Sequence, residues 1–143
     1  MLDAGRIALA AEMLGGAQAC LDMAVAYAKT RQQFGRPIGS FQAIKHMCAE
    51  VLVQVESTRA LVEAASAALD DQPERAHVLA PVAKAYAAET FVRAAGDNLQ
   101  IHGGIGFTWE HDAHLYLKRA KASDLIFGEV AAQRAVVADR LGL

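Results

Sequence analysis

The chain begins, after Met1, with Leu2-Asp3-Ala4-Gly5-Arg6-Ile7-Ala8-Leu9-Ala10-Ala11-Glu12-Met13-Leu14-Gly15-Gly16-Ala17-Gln18-Ala19-Cys20-Leu21-Asp22-Met23-Ala24-Val25-Ala26-Tyr27-Ala28-Lys29-Thr30-Arg31. Ile7, Leu14, Leu21 and Ala28 recur every seven residues, with Ala10, Ala17 and Ala24 as a companion row. That period predicts one long helix from Leu2 to Arg31. Small residues along it, with Gly15 and Gly16 in mid-helix, let a neighbouring backbone approach closely, which offsets the helix-propensity cost of glycine. Charges are sparse here, so the helix is expected to be enclosed by other helices or by another subunit.

Working outward, Phe34 to Ser40 holds Gly35, Pro37 and Gly39 and reads as a loop. A second helix is expected from Phe41 to Leu69. Ile44, Met47, Val51, Val55, Val62, Ala65 and Leu69 lie on one face, with Lys45, Glu56, Arg59 and Glu63 largely off it. Asp70 to Glu74 reads as a turn. A third helix then runs to His102, with Pro81 in its first turn or at a kink. Past the break at Gly103 to Gly106, shorter helices are expected over His111–Lys121 and Glu129–Leu141, joined near Gly128. No strand is expected. Long helices joined by short turns predict an all-α fold, an antiparallel four-helix-type bundle forming one domain over residues 1–143.

The chain has 143 residues, 54% of them hydrophobic, enough to bury a core without disulfides or metals. Its formal net charge of -2 offers no broad basic face, which argues against capture of nucleic acid or an anionic membrane. No signal pattern or spanning stretch is read, so a cytoplasmic location is expected. Cys20 and Cys48 stand among apolar positions without paired spacing and read as reduced packing residues. No metal set is expected.

Two stretches carry chemistry. In Arg31-Gln32-Gln33-Phe34-Gly35-Arg36-Pro37-Ile38, followed by Phe41-Gln42, a helix end delivers arginines, amides and aromatic rings into one loop. A guanidinium can bind pyrophosphate through two parallel charge-assisted bonds, and Phe34 could cover an adenine face. Basic residues at a helix C-terminus also serve the helix dipole, and spacing alone does not choose. In Gln100-Ile101-His102-Gly103-Gly104-Ile105-Gly106, glycines permit positive φ and a close approach of backbone amides to a ligand, or simply a helix C-cap.

Together these stretches resemble the acyl-CoA dehydrogenase family. The resemblance covers the chain from Leu2-Asp3 to Arg140-Leu141-Gly142-Leu143, but only the C-terminal helical domain of that family. An N-terminal helical domain and a middle β-domain are not represented. The resemblance implies a tetramer, homo- or hetero-oligomeric, with FAD between subunits and an acyl-CoA substrate. It implies that Arg31, Gln33, Phe34, Phe41 and Gln42 meet the pyrophosphate and adenine of a neighbouring subunit's FAD. Gln100, Ile101, His102, Gly103 and Gly104 would add flavin contacts, Asp3 and Arg6 would line the acyl-CoA site, and Glu129 to Ala131 would touch flavin.

Oxidation of an acyl-CoA to the 2-enoyl form needs a carboxylate to take the α-proton while the β-hydrogen leaves as hydride to the flavin. By resemblance, the usual glutamate position is Phe127, ahead of Gly128, and the family's alternative position on the first helix is Gly5. Neither is a base. Glu129, two residues on, is the substitute candidate, although two residues of helix turn a side chain by roughly 200° and a carboxylate there also suits a helix N-terminus. The run from Gln100 through Trp109-Glu110-His111-Asp112 to Ala120 is similar to an actinobacterial branch that often handles steroid or branched acyl-CoA thioesters. Some members work as mixed tetramers in which one subunit type supplies the base. A non-catalytic, flavin-clamping subunit is therefore the alternative reading.

Overall fold

The computed structural model describes all 143 residues. Five α-helices follow one another: α1 (Leu2–Thr30), α2 (Gln42–Asp71), α3 (Pro73–His102), α4 (Ala113–Leu125) and α5 (Val130–Arg140). Between α1 and α2 lie two short strands, β1 (Gln32–Gln33) and β2 (Arg36–Pro37), and a 3-10 turn at Ile38–Ser40; a second 3-10 turn spans Gly103–Phe107.

Side-chain contacts fix the directions. Asp3 meets His77 at 2.9 Å and Tyr27 stacks on His102 at 4.3 Å, so α1 and α3 run parallel, almost in register. Glu50 pairs with Arg93 at 3.0 Å and Thr58 with Thr90 at 2.9 Å, which sets α2 antiparallel to α3. Arg119 donates to both carboxylate oxygens of Glu12 at 2.7 Å, and Tyr116 lies beside Gly15 and Gly16, so α4 returns antiparallel to α1. The first four helices thus run up, down, up and down. Helix α5 lies against α3 through Arg134 to Glu89 at 2.6 Å and Arg140 to the His77 carbonyl.

The two rows read on the first helix face the core, which α2, α3 and α4 complete. Ile7, Leu14, Leu21 and Ala28 are buried, as are Ala10, Ala17 and Ala24. The Phe91 ring, 1% exposed, lies where a side chain on Gly16 would stand, so this glycine is what lets α1 and α3 close together. Phe91→Ala would forgo that filling at roughly 3–5 kcal/mol. By length and composition α1 could cross a bilayer, but half of that window is buried inside the bundle, as in a core helix.

The structure corrects several expectations. There is a strand pair, because Phe34 and Gly35 both take positive φ (53° and 75°), the geometry of a two-residue hairpin turn. Helix α2 starts one residue later than expected, with Phe41 as its N-cap, and runs on to Asp71. Leu69 is 37% exposed, and Ala68 takes the inward place. The turn between α2 and α3 shrinks to Gln72, since Pro73 is pre-set for the first helical position. Pro81 lies beyond the first turn, inside α3. Lacking an N–H, it leaves the His77 carbonyl without its helical donor, and the Arg140 guanidinium donates there instead. Helix α4 begins at Ala113 and extends past Lys121 to Leu125, while α5 begins at Val130 with Glu129 as its N-cap and ends at Arg140.

Candidate functional site

One end of the bundle gathers the two motifs. Helix α1 stops where Arg31 turns extended (φ −71°, ψ 126°), and the Ile38 amide donates to the Arg31 carbonyl at 2.8 Å. The hairpin pairs Gln32 with Pro37 and Gln33 with Arg36. Arg31, Gln33 and Phe34 are exposed, with Phe34 at 91%; its ring meets Phe41 edge-on at 6.1 Å. Arg36 lies 4.1 Å from the centroid of the Phe41 ring, a cation–π contact. Gln42 is the exposed first residue of α2.

Helix α3 delivers the second motif beside the first. Ile101 is buried with Ala24 and Ala28, and Ile38 and Ile44 pack on that cluster. His102, 5% exposed, donates from Nδ1 to the Asn98 carbonyl at 2.8 Å and is flanked by the rings of Tyr27 and His111, each 4.3 Å away. Burial holds the His102 pKa below the ordinary imidazole value, with nearby His111 acting the same way. The ring is therefore neutral at pH 7. Gln100 is exposed at the surface of the same turn. Gly103 takes φ 61°, and a Cβ at Gly103 or Gly104 would meet nothing within 4 Å, so the backbone there is open to close approach.

The other end holds the positions that face the acyl group in the resemblance. Arg6, 5% exposed, donates to Asp3 at 2.8 Å and to the Gln133 side-chain oxygen at 2.9 Å. Asp3 also contacts His77 and Arg140; burial alone would raise its pKa, but these three partners bring it below the ordinary carboxylate value. Phe127 takes φ 61°, and its ring lies over Gly5, 2.9 Å from where a Cβ would stand. The two positions that carry the base in the resemblance thus meet in one place, taken by the phenyl ring. Glu129 stands exposed at the α5 N-cap.

Sequence reading missed the groups that organise this end. Lys84 is fully buried and donates to the carbonyls of Asp124 at 2.6 Å and Gly128 at 2.5 Å. Gln133, 1% exposed, donates to the carbonyls of Phe127 at 2.5 Å and Gly128 at 3.2 Å. A signal for Lys84 was present, since Ala80, Ala83, Ala87 and Ala88 place it on the inward face of α3. Burial lowers the Lys84 pKa, offset by the Asp124 carboxylate 3.7 Å away. Cys20 is buried and its thiol is pushed up to about 12; both cysteines are free.

Residues 1–142 match the family model described as acyl-CoA dehydrogenase, C-terminal domain, and the chain belongs to the acyl-CoA dehydrogenase family. It is 44% identical over 128 residues to acyl-CoA dehydrogenase IpdE2 of Mycolicibacterium smegmatis, covering 90% of this chain and 39% of that protein. The fold is similar to butyryl-CoA dehydrogenase from Megasphaera elsdenii, with a TM-score of 0.94 and 35% identity over 99% of this chain and 37% of that one. It is also similar to a chain of the ChsE4-ChsE5 complex from Mycobacterium tuberculosis, with a TM-score of 0.90 and 31% identity over 96% of this chain and 37% of that one. The chain therefore spans about two fifths of the length of these relatives.

Proposed function

We propose that this chain is the C-terminal helical domain of an FAD-dependent acyl-CoA dehydrogenase that oxidises an acyl-CoA to the 2-enoyl-CoA in the cytoplasm. It works in a homo- or hetero-tetramer whose flavin lies between subunits. The observation that carries this reading is the convergence of Arg31, Gln33, Phe34, Gln100, Gly103 and Gly104 around the Tyr27–His102 stack. A free guanidinium, free amides, an exposed ring and an open glycine backbone suit the pyrophosphate and adenine of a dinucleotide. Ile101 and His102 are buried behind them, while Phe41 and Gln42 stand at the start of α2 beside the hairpin.

The flavin, when bound, supplies the acceptor for the β-hydride. This chain's own residues bind and orient: Asp3 and Arg6 line the acyl end, and the Phe127 ring covers Gly5 there. The α-proton needs a carboxylate, and the ring over Gly5 favours a second reading, in which this chain clamps flavin while another subunit type supplies the base. The ChsE4-ChsE5 complex offers a relative built from two chain types.

The test is FAD titration of the assembled protein by flavin fluorescence. Arg31→Ala should weaken binding roughly tenfold to a hundredfold, the worth of a charge-assisted hydrogen bond. An unchanged FAD affinity would sink the assignment of this end and leave a helical oligomerisation module.

A further inference from the structure

The connection from α4 to α5 is held by side chains from three other parts of the fold. The Lys84 ammonium of α3 bridges the Asp124 and Gly128 carbonyls at 2.6 and 2.5 Å. From α5, the Gln133 amide bridges those of Phe127 and Gly128 at 2.5 and 3.2 Å. Arg6 of α1 donates to the Gln133 oxygen at 2.9 Å, which turns that amide's N–H groups toward the loop. All three side chains are at least nine-tenths buried. Between these grips sits Phe127, a bulky residue at φ 61°, where such residues seldom stand unless their surroundings hold them.

Burying a lysine and a glutamine costs desolvation; Lys84 ties α3 to the last turn of α4 at Asp124, and both side chains reach past the helices into the loop at Phe127 and Gly128. Their donors go to the main chain around one residue. We infer that Lys84 and Gln133 are positioning residues that fix side chain 127 over Gly5 through three main-chain carbonyls. The acyl end then has a fixed phenyl wall at the place of the base, so that a base supplied by another subunit belongs to that subunit's own acyl end. The role assigned to that wall rests on the acyl-CoA dehydrogenase reading; the positioning itself does not.

Placing 4-fluorophenylalanine at position 127 of the full chain and recording its fluorine resonance tests this without flavin or acyl-CoA, so failure of the FAD titration and failure of this inference are separable. The same label at Phe41, at the opposite end of the bundle, is the control. In the parent, the 127 resonance should be a single line displaced from its value in the unfolded chain. Lys84→Met and Gln133→Ala should each move it toward the unfolded value and broaden it, leaving the Phe41 resonance in place. Lys84→Gln keeps an amide donor and should bring the line back toward the parent position. If the Lys84→Met chain does not fold, Lys84→Gln and Gln133→Ala decide: Lys84→Gln near the parent with Gln133→Ala displaced supports the inference. A folded Lys84→Met or Gln133→Ala chain with an unmoved 127 resonance overturns it. So do equal displacements at 127 and Phe41, which would mark a merely structural role.

Discussion

His102 is the residue whose chemistry is most constrained by its surroundings. It is buried between the rings of Tyr27 and His111, and burial disfavours its charged form, which holds its pKa below the ordinary value of 6.5. For a base with a lowered native pKa, the unfolded chain binds the extra proton as pH falls through 6.5, so stability is full above that point and drops below it. The urea midpoint should therefore fall from pH 7 to pH 5, and less steeply in His102→Phe, which keeps a ring in the stack and cannot titrate. Equal slopes in the two proteins would show that His102 is not the group responsible. Asp3 acts in the same direction at lower pH, because its depressed carboxyl pKa gives up stability only below its ordinary 3.8.

At the scale of the element, Gly15 and Gly16 look alike in sequence and differ in place. A Cβ on Gly15 would meet nothing within 4 Å, whereas one on Gly16 would collide with the Phe91 ring. Gly15→Ala should stabilise the chain by about 0.5–1 kcal/mol through helix propensity. Gly16→Ala should destabilise it by about 1–3 kcal/mol through overpacking. Denaturant unfolding of the two variants checks both signs. The same contrast explains what sequence could reveal. The rows of α1 and α2 were legible because hydrophobic period maps directly onto burial, and the end of α3 was legible because three glycines within four positions after His102 favour a C-cap with positive φ. The hairpin at Gln32–Pro37 was not legible, since it depends on Phe34 accepting a left-handed backbone that sequence gives little reason to expect. The inward place of Lys84 was legible from the alanines around it, but the bonds made by Lys84 and Gln133 were not, since their partners are main-chain carbonyls some 40 residues away for Lys84 and 5 or 6 for Gln133.

At the scale of the molecule, the proposed function divides the work between the two ends of the bundle. Helix α1 has 29 residues and so separates Asp3 from Arg31 by about 40 Å, well beyond the span of one extended dinucleotide. On the proposed reading, the Arg31 and His102 end and the Phe127 and Gly5 end would therefore serve different flavins, as a site shared between subunits requires. Both motifs were visible in the sequence, and their meeting at one end was not; it follows from the parallel register of α1 and α3. Phe127 and Gly5 were each read as lacking a base, but only the fold makes them one place. The most direct measurement is FAD retention together with acyl-CoA-dependent reduction of an electron acceptor, for the chain purified alone and for the chain assembled with its partner subunits. Flavin should be retained, and turnover seen, only in the assembly in which another subunit supplies the carboxylate. Tight FAD binding and acyl-CoA dehydrogenation by this chain alone would contradict that division.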